Sequence, residues 1–370
     1  MNVPMLDLPA QFRKIQGEVM PEITRIFETQ YFILGPNVKK IEEQMAGLAG
    51  MKCGIGASSG TDALLLSLMA INIRPGDEVI TTPYTFVATT EAIVRTGGTP
   101  VFVDIEKDSF NLDVKQAEAA ITPRTRALLP VHLFGLVIDP DAWRAVAQKH
   151  KVTLIEDAAQ AVGAKRKTWV AGGIGDISAF SFYPTKNLGG AGDGGMVLTR
   201  TDELAATVRS DRMHGGHDRY YYDRLGICAR LDEIQAAVLA IKFKYLGEWN
   251  ERRRALATLY NHLLEGAPVT MQAVPADAYH TYHQYVIRAP RRDDLKEYLK
   301  TRGIASDIYY PVPLHLQECY GYLGYKQGQF PNAESLALDS LALPINAELS
   351  DAQVEFVAKS IQDFYRGVAA

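Results

Sequence analysis

Between residues 50 and 200 the chain alternates short runs of β-branched and aliphatic residues with stretches whose apolar positions recur at helical spacing. PGDEVITTP, TPVFVDI, RALLPVHLFG, VTLIEDAAQ and ISAFSFYP read as strands, and their cores are apolar nearly throughout. That pattern belongs to strands covered on both faces, since a half-exposed strand would alternate. Between them, SSGTDALLLSLMA opens on capping residues and continues as an amphipathic helix, TFVATTEAIVRTGG is a helix closed by glycine, and DAWRAVAQKHK is another helix. Strand–helix alternation predicts an α/β fold with a mostly parallel sheet and helices on both faces. In such sheets ligands gather at the carboxyl ends of the strands.

The second half changes character. Leu231 to Leu264 forms one long helical stretch with a charged middle, longer than an average helix, and is predicted to bridge two domains. Beyond it, HTYHQYVIRA and GIASDIYYPVP read as strands, and RDDLKEYLKTRG and DAQVEFVAKSIQDFYRG as helices. The chain therefore divides into a large domain, residues 1–249, and a smaller α+β domain, residues 250–370.

Composition narrows the partners. Lys and Arg total 39 against 43 Asp and Glu, a formal net charge of −4, so no basic field exists to hold a nucleic-acid backbone. Nucleotide-linked small molecules need only a few local donors and stay open. Cys53, Cys228 and Cys319 are odd in number and far apart, with neither metal spacing nor a disulfide framework, which suits a reducing cytoplasm. The N-terminal MNVPMLDLPAQFRK has no apolar signal core, and the greasiest run, ALLLSLMAINI, is too short to span a bilayer.

The densest chemistry lies in SFYPTKNLGGAGDGG, Ser181 to Gly195. Gly190, Gly192 and Gly195 satisfy a G-x-G-x-x-G pattern, but that fingerprint binds a dinucleotide only where a helix starts at the glycines. Here MVLTR follows, which reads as a strand, so the glycines form a hairpin or wide turn. The turn leaves Lys186 unexplained. Most lysines are solvated surface groups, and alone this one would be no exception. Three further features weigh against that. Asp157 ends the apolar run LIED and is followed by Gln160; by itself it is an ordinary helix cap, but a buried carboxylate there can face a cationic ring nitrogen. Gly60 and Thr61 open a helix, where backbone N–H groups and the helix dipole favour an anion, although a plain cap is the commoner meaning. Ser181 lies five residues before Lys186 and can share the same anion, while Phe86 follows another strand and either covers a ring face or packs in the core.

In order, SGTDAL, GDEVI, TPYTFVAT, PVFVDI, PVHLFG, EDAAQAVGA, SFYPTKNLGGAGDGG, RLDEIQAA and YYPVPLH closely resemble the DegT/DnrJ/EryC1/StrS family over roughly residues 4–357. The resemblance implies a pyridoxal 5'-phosphate (PLP) aminotransferase of nucleotide sugars, with the fold type I large domain, a mostly parallel seven-stranded-type sheet, and a smaller C-terminal domain. It matches Lys186 to the lysine that carries the cofactor as a Schiff base, Asp157 to the partner of the pyridine nitrogen and Gln160 to the residue beside the ring oxygen. Phe86 matches the stacking aromatic, and Gly60, Thr61 and Ser181 the phosphate cradle. Catalytic roles fall to Lys186 and Asp157. The resemblance also implies glutamate as amino donor, a cytoplasmic homodimer with active sites at the interface, and a place in aminosugar or surface polysaccharide biosynthesis. One position departs from the family: where an asparagine usually reaches the partner subunit's cofactor phosphate, this chain has Cys228, a weaker donor.

For the substrate, the stretch Ala305 to Tyr325 resembles members that aminate a 3-keto position, keto-uronic acid sugars included, ahead of 4-keto sugars. Tyr310 and His315 either line the sugar cleft or pack the small domain, and Arg230 either meets a carboxylate or pyrophosphate or pairs at a helix start. Members that act as sugar dehydratases replace the lysine by histidine, which Lys186 opposes. A regulatory homologue would show erosion of Lys186, Asp157, Gln160 and Ser181, which are intact.

Overall fold

The structure, a computed structural model, describes residues 1–368. Its centre is a seven-stranded sheet. In chain order the strands are β1 (Cys53–Ala57), β2 (Glu78–Thr81), β3 (Thr99–Phe102), β4 (Thr125–Leu128), β5 (Thr153–Asp157), β6 (Ile177–Ser181) and β7 (Gly195–Thr199). Across the sheet they run β1-β7-β6-β5-β4-β2-β3. The pairs β6–β5, β5–β4, β4–β2 and β2–β3 are parallel, while β7 is antiparallel to both β1 and β6. The mostly parallel α/β architecture expected from the apolar runs is therefore present.

Successive side chains of a strand point to opposite faces, and both faces are covered. Leu128, Leu154, Phe180, Met196 and Leu198 pack with Val38, Ile41 and Met45 of the Pro36–Ala49 helix and with Trp143 of the Pro140–His150 helix. Their neighbours Ala127, Ile155, Ala179 and Val197 pack on the other side with Leu64, Leu66 and Leu68 of the Gly60–Ala70 helix and with Ala92 and Ile93 of the Val87–Arg95 helix. Strands buried this way need no polar alternation, which is why the runs read as continuously apolar.

A second core forms around a three-stranded sheet of Thr270–Met271, Tyr285–Arg288 and Ser340–Leu343. It joins Tyr285, Ile287, Leu341 and Leu343 to Leu295, Leu299, Val354, Val357 and Ile361. Val3, near the opposite end of the chain, belongs to this core and bridges to Ile304. The stretch expected as one long helix is Glu233–Lys242, a tighter 3₁₀ turn at Phe243–Tyr245, and Leu246–Leu263. Its backbone stays right-handed through the turn. Leu246 packs in the large core and Leu256 and Tyr260 in the small one, so the helix is shared between them.

One expected strand is absent. GIASDIYYPVP makes only single bridges, Val3–Ile304 and Asp307–Ala342. Pro311 and Pro313 bring no N–H to a ladder, and the backbone beside them is satisfied by a side chain instead. The Tyr84 hydroxyl donates to the Tyr309 carbonyl (2.6 Å) and accepts from the Tyr310 N–H (2.9 Å). The irregular path carries Tyr309 and Tyr310 to the mouth of the cleft described below.

Candidate active site

The carboxyl ends of β2, β5 and β6 open into a cleft of about 800 Å³, lined by Gly60, Thr61, Phe86, Asp157, Gln160, Ser181, Lys186 and Tyr310 among others. Asp157 is the last residue of β5. Its backbone is tied on both sides, with its N–H donating to the Pro130 carbonyl (3.0 Å) and its carbonyl accepting from the His132 N–H (3.0 Å). Its carboxylate is buried, accepting from the Thr89 hydroxyl at Oδ2 (2.7 Å) and from the Ala159 N–H at Oδ1 (3.1 Å). Burial pushes its pKa up, opposed by the Thr89 and Ala159 hydrogen bonds and by the charge of Lys186.

Lys186 lies in the turn between β6 and β7, which pair as an antiparallel hairpin; the glycines are its connection and start no helix. The turn is held firmly. Phe182 N–H donates to the Gly194 carbonyl (2.8 Å), Gly190 N–H to the Phe182 carbonyl (2.7 Å), and the buried Lys242 ammonium to the Gly189 carbonyl (2.8 Å). Beside Lys186, the Asn187 amide donates to Asn250 Oδ1 (2.8 Å) and to the Thr281 carbonyl (3.1 Å). Lys186 itself lines the cleft and is only partly covered, yet its amine sits deep enough that burial lowers its pKa to about 8 against the attraction of Asp157. About a tenth of the amine is then neutral, and nucleophilic, at pH 7, far more than for an ordinary lysine.

The end of the cleft at the start of the Gly60–Ala70 helix is built by close backbone approach. Ser59 caps the Gly60–Ala70 helix, its hydroxyl accepting from the Asp62 N–H (3.0 Å). A Cβ on Gly60 would lie 2.6 Å from the Ser181 Cβ, and one on Gly195 would overlap the Ser59 carbonyl. Glycine at both positions lets the hairpin press against the helix start, so that Ser181 and the free N–H groups of the first turn share one face of the cleft. Gly60→Ala is accordingly expected to lower stability by about 1–3 kcal/mol through overpacking and to weaken phosphate-group binding. Thermal melts and PLP titration of the variant check this; wild-type behaviour in both would refute the close-approach argument.

Gln160 is held at both ends: Oε1 accepts from the Phe134 N–H (2.7 Å) and Nε2 donates to the Tyr310 hydroxyl (2.9 Å). Phe86 is 56% exposed at the cleft mouth, with its ring centroid 6.4 Å from that of Tyr310. The cleft also contains residues that sequence reading passed over: Thr89, Tyr183, Asp193 and His283. Thr89 stood within the quoted TPYTFVATT run, one helical turn after Thr85. His283 comes from a distant segment, and nothing local marks it. It is buried, its Nδ1 lies 3.3 Å from Asn187 Oδ1, and burial with the Lys186 charge holds it neutral.

Two anticipated substrate residues lie outside this cleft. His315 is turned inward by the 3₁₀ turn Leu314–Leu316, packs edge-on against Phe330 (4.7 Å) and pairs through Nε2 with Glu334 (3.1 Å). Arg230 reaches the Met213 sulfur (3.7 Å), and its Nε is buried without a partner among the described residues. Cys228 is exposed, with its backbone bridged to Met213, and also lies outside the cleft. Among the described residues no His, Cys, Asp and Glu cluster could hold a metal, and no helix is long and apolar enough to cross a membrane.

Comparison with known proteins agrees with this geometry. The chain is 48% identical over its whole length to a protein of Geobacillus stearothermophilus named pleiotropic regulatory protein, all of which is covered. It is 44% identical, over 99% of this chain and 98% of the relative, to UDP-N-acetyl-3-dehydro-α-D-glucosamine 3-aminotransferase of Acidithiobacillus ferrooxidans. The crystal structure of Streptomyces venezuelae DesV in complex with a ketimine intermediate superposes with a TM-score of 0.96 at 41% identity, covering 98% of each chain. The model of the DegT/DnrJ/EryC1/StrS aminotransferase family matches residues 13–362, and this chain belongs to that family.

Proposed function

We propose that this protein transfers an amino group from glutamate to a nucleotide-linked ketosugar, at a 3-keto carbon, using PLP carried on Lys186. What supports the reading is one arrangement: a buried amine of lowered pKa and a buried carboxylate share a cleft with a capped helix start against which Ser181 is packed. These residues fit the cofactor. Lys186 Nζ has no hydrogen-bond partner among the described residues, Asp157 retains free acceptor capacity beyond its single donor at each oxygen, and the Gly60–Ser181 contact leaves a cradle bounded by backbone N–H groups.

PLP, when bound, supplies an electrophilic aldehyde carbon and a ring that accepts electrons. With PLP held there, the neutral Lys186 Nζ would be the group that carries it and, as a free base, the group placed to hold and move a proton. Asp157 keeps a proton on the ring nitrogen by charge complementarity. Gly60 and Thr61 N–H groups with the Ser181 hydroxyl would hold the phosphate, and Phe86 and Gln160 would flank the ring. Tyr310 narrows the mouth and limits water. The exposed Phe86, Tyr183, Tyr220, Tyr221, Tyr222 and Leu225 support a homodimer that covers them, and the free cysteines support a reducing cytoplasm.

Glutamate-dependent amination of a panel of 3-keto and 4-keto nucleotide sugars, with the product position read by NMR, tests the assignment; amination only at C4 would overturn the 3-keto reading. A second reading, a regulatory protein on this fold, takes its support from the name of the 48% identical relative. The retained Lys186, Asp157, Gln160 and Ser181 favour the enzyme.

The pKa of Lys186 makes a further expectation. Since the folded value is lowered from 10.5 to about 8, the neutral fraction of the amine grows through pH 8 and saturates above it. The rate of PLP capture by apoprotein should rise up to about pH 8–9 and then level off. Stopped-flow absorbance from pH 6.5 to 10 measures it; a rate that climbs steadily toward pH 10.5 would mark an ordinary solvated lysine.

A further inference from the structure

Two threonine hydroxyls form a chain that ends on Asp157. Thr89 Oγ1 lies 2.7 Å from Asp157 Oδ2, and Thr85 Oγ1 lies 3.1 Å from Thr89 Oγ1. Both residues are buried, at 2% and 1% exposure for Thr85 and Thr89, and both line the cleft. The direction of the chain follows from chemistry. An ionised carboxylate has no proton to give, so Thr89 donates to Asp157, and the Thr89 oxygen is then the natural acceptor for Thr85.

Thr89 departs from the habit of helical threonines, which return their hydroxyl to the carbonyl four residues back. Thr24, Thr29, Thr207 and Thr258 of this chain all do so. Thr89 instead donates its hydrogen bond to a side chain at the end of β5, 68 residues away in sequence. Asp157 needs such a donor. Burial drives it toward the neutral acid, opposed first by the Thr89 hydrogen bond, then by the Ala159 N–H and the charge of Lys186. A neutral carboxyl could not pair with a cationic ring nitrogen.

We propose that Thr89, backed by Thr85, is a positioning residue that keeps the Asp157 carboxylate ionised and aimed into the cleft, and so sets the protonation of the bound cofactor's ring nitrogen. This rests on the assignment of Lys186 and Asp157 as the cofactor site. A hydrogen bond to a charged group in a buried site is among the stronger ones. Its loss should therefore move both cofactor affinity and the electronic state of the ring.

The test compares wild type, Thr89→Val, Thr89→Ser and Thr85→Val after reconstitution with PLP. Two readouts are taken besides turnover: the PLP dissociation constant and the absorbance titration of the Lys186-linked chromophore. Thr89→Val should bind PLP about tenfold more weakly. With less positive charge on the ring, its chromophore should release its proton at a pH higher by on the order of one unit. Thr89→Ser, which keeps the hydroxyl, should restore both, and Thr85→Val should shift both in the same direction by less. A purely structural threonine would lower the melting temperature of Thr89→Val and leave the chromophore titration at the wild-type value, which overturns the proposal. So does Thr89→Ser behaving like the valine variant. Should Thr89→Val fail to fold, unchanged readouts in Thr85→Val overturn it. Failure of the underlying assignment looks different: wild type would take up no borohydride-fixable PLP, or Lys186→Ala would still fix it.

Discussion

Lys186→Ala should lose transamination almost completely, with glutamate turnover reduced by about 10⁴-fold or more. On the proposed reading a single amine both carries the cofactor and moves the proton, and positioned acid–base catalysis alone contributes about 10²–10⁴-fold. The fold should survive, because Lys186 Nζ makes no hydrogen bond among the described residues, and the turn is held by Phe182, Gly190, Asn187 and Lys242. Removing a buried amine whose charged form is disfavoured leaves no orphaned partner. Steady-state assays, circular dichroism and borohydride trapping followed by peptide mass mapping check the three parts separately. Retained turnover, or cofactor fixed on another lysine, would refute the assignment.

Asp157→Asn is the second large effect. The amide has nearly the shape of the carboxylate, and its oxygen can still accept from the Ala159 N–H, so the strand end should hold its geometry. What disappears is the negative charge proposed to keep the ring nitrogen protonated. Loss of one preorganised electrostatic partner in a water-poor site typically costs about 10²–10³-fold in rate, and that range is expected for kcat, with weaker PLP binding alongside. The comparison with Lys186→Ala is informative. Asp157→Asn should still fix PLP with borohydride and still turn over slowly, whereas the lysine variant does neither. An Asp157→Asn enzyme with wild-type kcat would show that the carboxylate is a structural cap only.

Most of the central sheet was legible in the chain because its inner strands are buried on both faces, whereas the edge strand β1 (Cys53–Ala57) was not read as a strand. Ile80, Leu128, Ile155 and Val197 have no exposed side to advertise by alternation. The hairpin that carries Lys186 was equally legible, since a strand follows the glycines where a nucleotide fingerprint requires a helix. Asp157, Gly60 and Ser181 each sit at a strand end or a helix start, and such places are marked locally by the change of periodicity, while Lys186 lies in the turn that follows β6. The 303–313 segment misled because its residues suit a strand individually. Its prolines remove ladder donors, and Tyr84, more than 200 residues away, takes over the backbone groups.

The sequence alone, then, determined the α/β class and the strand ends that border the cleft, because these depend on local periodicity, while the roles proposed for Lys186 and Asp157 rest on the family resemblance. Only the tertiary structure decided which distant groups share the cleft. It brought Thr89 to Asp157, Tyr310 to Gln160 and His283 to Asn187 beside Lys186, and it turned His315 away toward Glu334. Each of those contacts joins segments separated by long stretches of chain, apart from the His315 pair on neighbouring elements. Their partners are selected by the packing of two cores against each other, a property no window of residues contains.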